Sequence, residues 1–262
     1  MDENLNKLDT VQSVERALQV LEIVSRLGSV SLNDLRRELD VNKASLLRLA
    51  HTLVVNGYMA KSPQTGNYSL TLKTYEVGIS AVQSLNQISI INTVLVDLRK
   101  ETERIAQFSI EDNNELICLQ SIGQTNPVFS VYTSVGKRSP LYCTSAGKAI
   151  LSTYSNDEII GKWDKLDPKP LTQNTHVDVQ SLLKDIGEIR RRNYAVDREE
   201  NEYNVFCVGA VVMNHTRTPI GAISVSAGSL TEAEEERVSP LVVNAARRLS
   251  NLLGYASADV PA

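Results

Sequence analysis

Two short stretches of this sequence carry residue types at spacings that enzymes use. Ser145-Ala146-Gly147-Lys148 has the S-x-x-K form of Ser–Lys acyl-transfer sites. That chemistry needs companion hydroxyl and base groups, and neither an S-D-N nor a K-T-G triplet occurs, so the four letters are read as a chance match. Gly147-Lys148 also lacks the earlier glycine and the following hydroxyl residue of a phosphate-binding loop. Asp197, Glu199 and Glu200 form an acidic cluster, but no histidine or metal set accompanies them, so a solvated turn contributing one pocket residue is the expected role. No catalytic residue is therefore assigned. An enzyme that uses the C-terminal half on a small molecule is the second reading.

Binding chemistry is better represented. Thr144 is a natural N-cap, and Ser145, Ala146 and Gly147 are small, so a first helical turn here leaves N–H groups open to a carboxylate or phosphate. From the residues alone an ordinary capped helix fits at least as well. Lys43, Ser45 and Arg48 lie in a segment, 41–54, that holds no acidic residue. Outward on one helix, such side chains donate to base edges and phosphates in a major groove. A solvated polar face is the plainer alternative.

The elements that position these residues can be read from periodicity. Val14, Ala17, Leu18, Leu21, Val24 and Leu27 recur at spacings of three and four, predicting a helix with that stripe inward, stopped by Gly28. Ser31 and Asp34 have the form of a capping box for a short helix over Leu32–Leu39. Asn42 caps a third, Lys43 to Val54, with Leu46, Leu49, Ala50 and Leu53 inward. Residues 58–61 and 68–71 flank a turn-rich loop and predict a hairpin. Three helices and a hairpin in this order make a winged helix-turn-helix, with Lys61 on the hairpin placed to touch phosphate.

Leu72 to Leu85 is helix-compatible, and its surplus apolar surface suggests a partner helix and hence a dimer. Beyond it, helices are expected over 90–102, 144–154, 179–192 and 231–253, the last kinked or split by Pro240. Strands are expected over 105–110, 116–121, 128–132, 205–213 and 220–227. Hairpin strands mixed with helices point to an α+β domain with an antiparallel sheet. The chain thus divides into 10–71, a linker helix 72–87, and 88–255.

With 262 residues and 42% apolar composition, two domains can each bury a core. Three cysteines and three histidines, widely spaced, exclude a disulfide framework and offer no metal-ligand pattern, so neither a metal nor a cofactor is expected. No run is long enough to cross a bilayer and no signal-like segment opens the chain, so a cytoplasmic protein without a membrane partner is expected. The net charge of -4 argues against indiscriminate coating of nucleic acid, although residues 11–80 carry a mild positive excess.

Ser13-Val14-Glu15-Arg16-Ala17-Leu18, Lys43-Ala44-Ser45-Leu46-Leu47-Arg48-Leu49, Asn56-Gly57-Tyr58 and Gly66-Asn67-Tyr68-Ser69-Leu70 together resemble the IclR family of bacterial transcription regulators. Later stretches extend the likeness over nearly the whole chain: 140–148, Asp197-Arg198-Glu199-Glu200 with Cys207, and Gly221 to Ser226. The resemblance implies a winged helix-turn-helix, a linker helix and a GAF-like α/β effector domain. It also implies dimers or tetramers on palindromic double-stranded operator DNA and a small-molecule effector. It places Lys43, Ser45 and Arg48 on the recognition helix, and Ser145, Ala146, Asp197 and Cys207 in the effector pocket. Strand alternation sets Ser224 and Ser226 on one face, which the resemblance turns toward that pocket. The sequence departs from the family's pattern at Ala44, Leu47, Asn204 and Phe206. With no arginine placed in the pocket, a small organic or sugar-derived acid is the expected effector.

Overall fold

The computed structural model describes residues 10–83, 87–123 and 135–255; of the predicted strands, that over 128–132 lies outside them. The chain forms two compact units, Met1–Leu85 and Asn86–Ala262.

In the first unit α1 (Gln12–Leu27) ends where Gly28 takes φ +79° and returns its N–H to the Val24 carbonyl. α2 (Leu32–Glu38) opens with the predicted capping box, Ser31 Oγ accepting from Asp34 N and Asp34 Oδ2 accepting from Ser31 N at 3.0 Å. α3 (Lys43–Val55) is capped by Asn42, whose Oδ1 accepts from Ser45 N at 2.9 Å. β1 (Met59–Lys61) and β2 (Tyr68–Leu70) pair antiparallel, and Val30 adds an isolated bridge to Tyr68. The core joins Val20, Val24, Leu35, Leu46, Ala50, Met59 and Tyr68.

The stripe expected to face inward on α1 needs correction. Val20, Ile23 and Val24 are the buried residues, whereas Val14, Leu18 and Leu27 are about half exposed. α1 carries apolar residues on more than one face, and contact with α3 and β2 selects the Val20–Val24 face. On α3, Leu49 is only half-buried. α4 (Leu72–Gln83) follows directly, with Leu72, Tyr75 and Val77 exposed.

The second unit is α+β. α5 (Ile88–Thr102) buries Ile91, Val94, Leu95 and Leu98 as predicted. A six-stranded antiparallel sheet follows from β3 (Ile105–Asp112), β4 (Glu115–Ile122), β5 (Arg138–Pro140), β6 (Ala195–Arg198), β7 (Phe206–Met213) and β8 (Pro219–Ala227). Its order is β5-β4-β3-β8-β7-β6. The short edge strands β5 and β6 were not anticipated. α6 (Ser145–Leu151), α7 (Asn156–Lys162), a 3-10 turn over Trp163–Leu166 and α8 (Val179–Arg192) separate β5 from β6. α6 is three residues shorter than expected at its C-terminal end. α9 (Glu232–Leu252) packs on β7 and α5 and runs unbroken through Pro240, contrary to the predicted kink or split. Its buried face, with Val238, Ser239 and Val242 around the proline, offsets a proline cost of about 3 kcal/mol.

Alternation along β7 turns Val208, Ala210 and Val212 to one side and Cys207, Gly209 and Val211 to the other. Gly209 is where α6 meets the sheet: a Cβ there would sit 2.9 Å from Ala146 N. Gly147 is equally constrained, since a Cβ would come within 2.3 Å of the Leu141 carbonyl oxygen. Gly209 thus lets the first turn of α6 lie directly on β7, and Gly147 lets the preceding segment at Leu141 fold back against that turn.

Candidate nucleic-acid interface and effector pocket

Burial of Leu46, Ala50 and Leu53 fixes which side of α3 faces outward. At about 3.6 residues per turn, Ala44, Leu47, Arg48, His51 and Val55 occupy the opposite arc, with Lys43 and Ser45 flanking it. Lys43 and Arg48 are exposed, and Ser45 is half-buried. Among the described residues neither cationic side chain has an ion-pair partner. Lys61, at the end of β1, holds its ammonium 5.4 Å from the centre of the Tyr68 ring. Ser45 and Arg48 also border a surface groove whose other wall is α1 and α4, lined by Val14, Leu18, Leu21 and Val77.

In the second unit Ser145, Ala146, Asp197, Cys207, Ser224 and Ser226 all line one cavity of about 60 Å³. Four elements, α6, β6, β7 and β8, deliver them, so this is a tertiary constellation. The sheet adds Gln107 and Ser109 from β3 and Cys118 from β4; Lys137, Ser139, Thr144 and Asn201 complete the polar lining. Of these seven, sequence reading named only Thr144, as the cap of the α6 turn. Period-2 placement alone could have nominated Gln107 and Ser109, whose alternation matches that of Ser224 and Ser226 across the β3–β8 pairing.

A chain of contacts crosses the cavity floor. Gln107 Nε2 donates to Cys118 Sγ at 3.5 Å, Ser226 Oγ donates to Gln107 Oε1 at 3.3 Å, and Cys207 Sγ lies 3.1 Å from Ser226 Oγ. Burial pushes the thiols of Cys118 and Cys207 upward, so both are neutral S–H groups.

Both halves of this arrangement match family models. The model for the IclR helix-turn-helix domain covers residues 13–63, and that for the C-terminal domain of the bacterial transcriptional regulator IclR covers 79–251. This chain belongs to the IclR family of bacterial transcription regulators. Among curated IclR relatives, the DNA-binding transcriptional repressor YiaJ of Escherichia coli K12 is 30% identical over 253 residues, 95% of this chain and 90% of that protein. The regulator KdgR of the same organism is 26% identical over 249 residues, 94% of each chain. The crystal structure of Thermotoga maritima IclR superposes with a TM-score of 0.78 at 26% identity, covering 93% of this chain and 99% of that one. The chain is therefore a DNA-binding transcription regulator with a C-terminal effector-binding domain, and its matched relatives are regulators rather than enzymes.

Within this IclR scaffold the electrostatics of the pocket depend on the turn after β6. Asp197 is wholly buried, and burial, reinforced by the Glu200 carboxylate, pushes its carboxyl up to about 8. At neutral pH it carries a proton, so it can donate to a ligand as well as accept one. Its Oδ1 accepts from Glu200 N at 2.8 Å. Glu199 and Asn204, both at φ +59°, turn the chain from β6 into β7. Asn204 takes the left-handed backbone that glycine commonly supplies. Lys148 is fully buried and bonds Asp185 Oδ2 at 2.6 Å and Glu200 Oε1 at 2.5 Å. Committed to two carboxylates, its ammonium is not the base that an S-x-x-K enzyme needs. Burial lowers the Lys137 ammonium at the cavity rim, while Glu202 holds it up.

Proposed function

We propose that this regulator binds a palindromic double-stranded operator as a homodimer or a dimer of dimers, and that occupation of the cavity by a small organic or sugar-derived acid alters its grip on DNA. The observation that carries the reading is the convergence of six residues from four elements of the chain on one cavity. Ser145 and Ala146 offer the first turn of α6. Protonated Asp197 donates to a carboxylate or hydroxyl, and Ser224 and Ser226 meet hydroxyls from the sheet. Cys207 supplies a soft wall, and Lys137 supplies a positive charge.

Size supports a small ligand. On the scale where one water needs about 10–15 Å³, a 60 Å³ cavity holds on the order of four to six waters. That suits a short hydroxy acid. The lining is binding machinery rather than a reaction centre: its thiols are neutral and its nearest lysine is committed elsewhere.

On DNA, Arg48 and Lys43 reach the major groove or its phosphates, Ser45 sits at the groove-facing edge, and Lys61 touches backbone phosphate from the hairpin. The exposed apolar residues Val14, Leu18, Leu72, Tyr75 and Val77 provide a face for a second copy. A twofold pair presents two α3 helices to half-sites about 34 Å apart. Such a protein acts in the cytoplasm, where its DNA lies, and repression is the mode named for its relative YiaJ. No described helix is long and apolar enough to cross a membrane.

The test is Ser145→Trp, which fills the cavity. Operator binding is expected to stay intact in a gel-shift titration while the response to a panel of short hydroxy acids disappears. A response that survives places the effector elsewhere.

A further inference from the structure

Behind the effector cavity, on the outer side of the Asp197–Asn201 turn, three side chains converge that the pocket does not use. His176 comes from the segment before α8, Asp185 from α8 and Glu200 from the turn after β6. One ligand atom of each lies within 4.8 Å of the others.

The protonation of His176 follows from its neighbours. Ser181 Oγ donates its hydrogen to the Asp178 carbonyl at 2.9 Å, so at 3.1 Å it can only accept from His176 Nδ1. Nδ1 therefore carries a ring hydrogen, and in the neutral imidazole this leaves Nε2 presenting a lone pair. That lone pair faces Asp185 Oδ2 and Glu200 Oε2, each at 3.6 Å. Three electron-rich atoms facing one another are repulsive unless a cation lies between them. The spacing is too long for an N–H···O bond, which runs about 2.7–3.2 Å. It matches the edge of a tetrahedron with metal–ligand bonds of about 2.1 Å, whose ligand–ligand distance is about 3.4 Å. Independently, Glu200 Oε2 is buried and has no hydrogen-bond partner among the described residues. Its side chain is 8% exposed.

We propose that His176 Nε2, Asp185 and Glu200 Oε2 form a binding site for a first-row divalent transition metal, best suited to Zn²⁺. One imidazole nitrogen and two carboxylate oxygens make a borderline donor set, which favours Zn²⁺ over Mg²⁺ or Ca²⁺ with their all-oxygen shells. Lys148 reaches both carboxylates from the buried side, on Glu200 Oε1 and Asp185 Oδ2, and offsets one of their two negative charges. His176 and Asp185 are about one-fifth exposed and open onto a surface pocket bordered by Asn174, Ser181, Lys184 and Glu188. Water from that pocket supplies a fourth ligand. Ser181 acts as the outer partner that fixes the imidazole tautomer. Because Glu200 N bonds Asp197, an ion here stiffens the turn that forms one wall of the effector cavity. The site itself does not depend on what that cavity binds.

The experiment uses full-length protein stripped with a chelator and dialysed against micromolar Zn²⁺, with bound metal measured by atomic emission. The expected result is one ion per chain. His176→Leu, checked for native circular dichroism, should bind at least about tenfold more weakly, and Ser181→Ala about tenfold more weakly. Serine substitutions at Cys118, Cys143 and Cys207 should leave binding unchanged, and the Co²⁺-loaded protein should show d–d bands without thiolate charge transfer. Absence of retained zinc, equal binding by His176→Leu, or a thiolate band on cobalt each overturns the proposal. The first of these results means that Nε2 instead takes a proton and pairs with the carboxylates as an imidazolium.

Discussion

Lys148→Met offers a direct measure of what holds the effector-domain core together. Lys148 is fully buried and bridges α8 and the Asp197–Asn201 turn through Asp185 and Glu200. Methionine keeps the stem but leaves Glu200, 8% exposed at its side chain, without a counter-charge. Breaking one side of a buried pair costs about 3–5 kcal/mol. Asp185 is more open and retains Arg192 nearby, so the lower part of that range, about 3–4 kcal/mol, is expected. For a folding unit of about 150–250 residues each kcal/mol shifts Tm by roughly 2–4 °C, giving a loss of about 6–16 °C. Differential scanning calorimetry of the full chain at neutral pH with a chelator present measures this. Burial already raises the Glu200 carboxyl above its usual value, and losing Lys148 raises it further. A raised acid binds protons more tightly when folded, so the deficit is full well above pH 4.5 and shrinks as pH falls toward that value. Adding Glu200→Gln should recover more than half of the lost Tm. A Lys148→Met protein melting within a degree or two of wild type refutes the reasoning.

Asp197→Asn should keep the neutral hydrogen-bonding form at every pH. Wild type should lose affinity for an acidic effector as pH rises through about 8, where the buried carboxyl ionises, whereas the variant's affinity stays flat in calorimetric titrations. If the two curves fall together, Asp197 is not the titrating group. Arg48→Ala should weaken operator binding by at least about 1 kcal/mol and flatten its salt dependence; an unchanged gel-shift midpoint and slope removes Arg48 from the interface. Cys143 and Cys207 have thiols raised by burial, so neither should react with iodoacetamide at pH 8 until the chain is unfolded. Rapid labelling of the native protein contradicts the burial described.

What was legible in the sequence was local. The capping box at Ser31 and Asp34, the Asn42 cap and the Gly28 stop are signals spanning three or four residues, and each fixed a helix end. The inward face of α1 was misread because apolar residues supply more than one stripe, and only contact with α3 and β2 selects among them. Edge strands β5 and β6, three and four residues long, carry too little periodicity to register. Pro240 was given its average effect, whereas the buried residues on both sides hold α9 together across it. The pocket was half legible: Ser145, Ala146, Asp197, Cys207, Ser224 and Ser226 were named through likeness to IclR regulators. Lys137 and Asn201 reach the cavity through loop paths that no spacing encodes, and Ser139 through the three-residue edge strand β5. His176 lay beyond sequence reading for the same reason, since its partners sit nine and twenty-four positions away.

The Asp197–Asn201 turn is where a ligand and the scaffold meet in the same few bonds. Asp197 and Asn201 line the cavity, while Glu200 between them faces away and is gripped by Lys148. Thr172 and Thr175 also fasten this turn, the latter donating to the Glu200 carbonyl at 2.6 Å. A ligand that pulls on Asp197 therefore works against contacts to α6, α8 and the segment before α8. Coupling free energies of about 1–3 kcal/mol are typical of regulators, comparable to one or two of these bonds. A pocket lined only by free loops lacks the means to transmit such an amount. Here the wall residue and the anchor are joined by one hydrogen bond, Glu200 N to Asp197 Oδ1. Replacing the anchor alone, as in Glu200→Gln, should leave effector affinity nearly intact while reducing its effect on operator binding. Equal losses in both would place the coupling in the cavity itself.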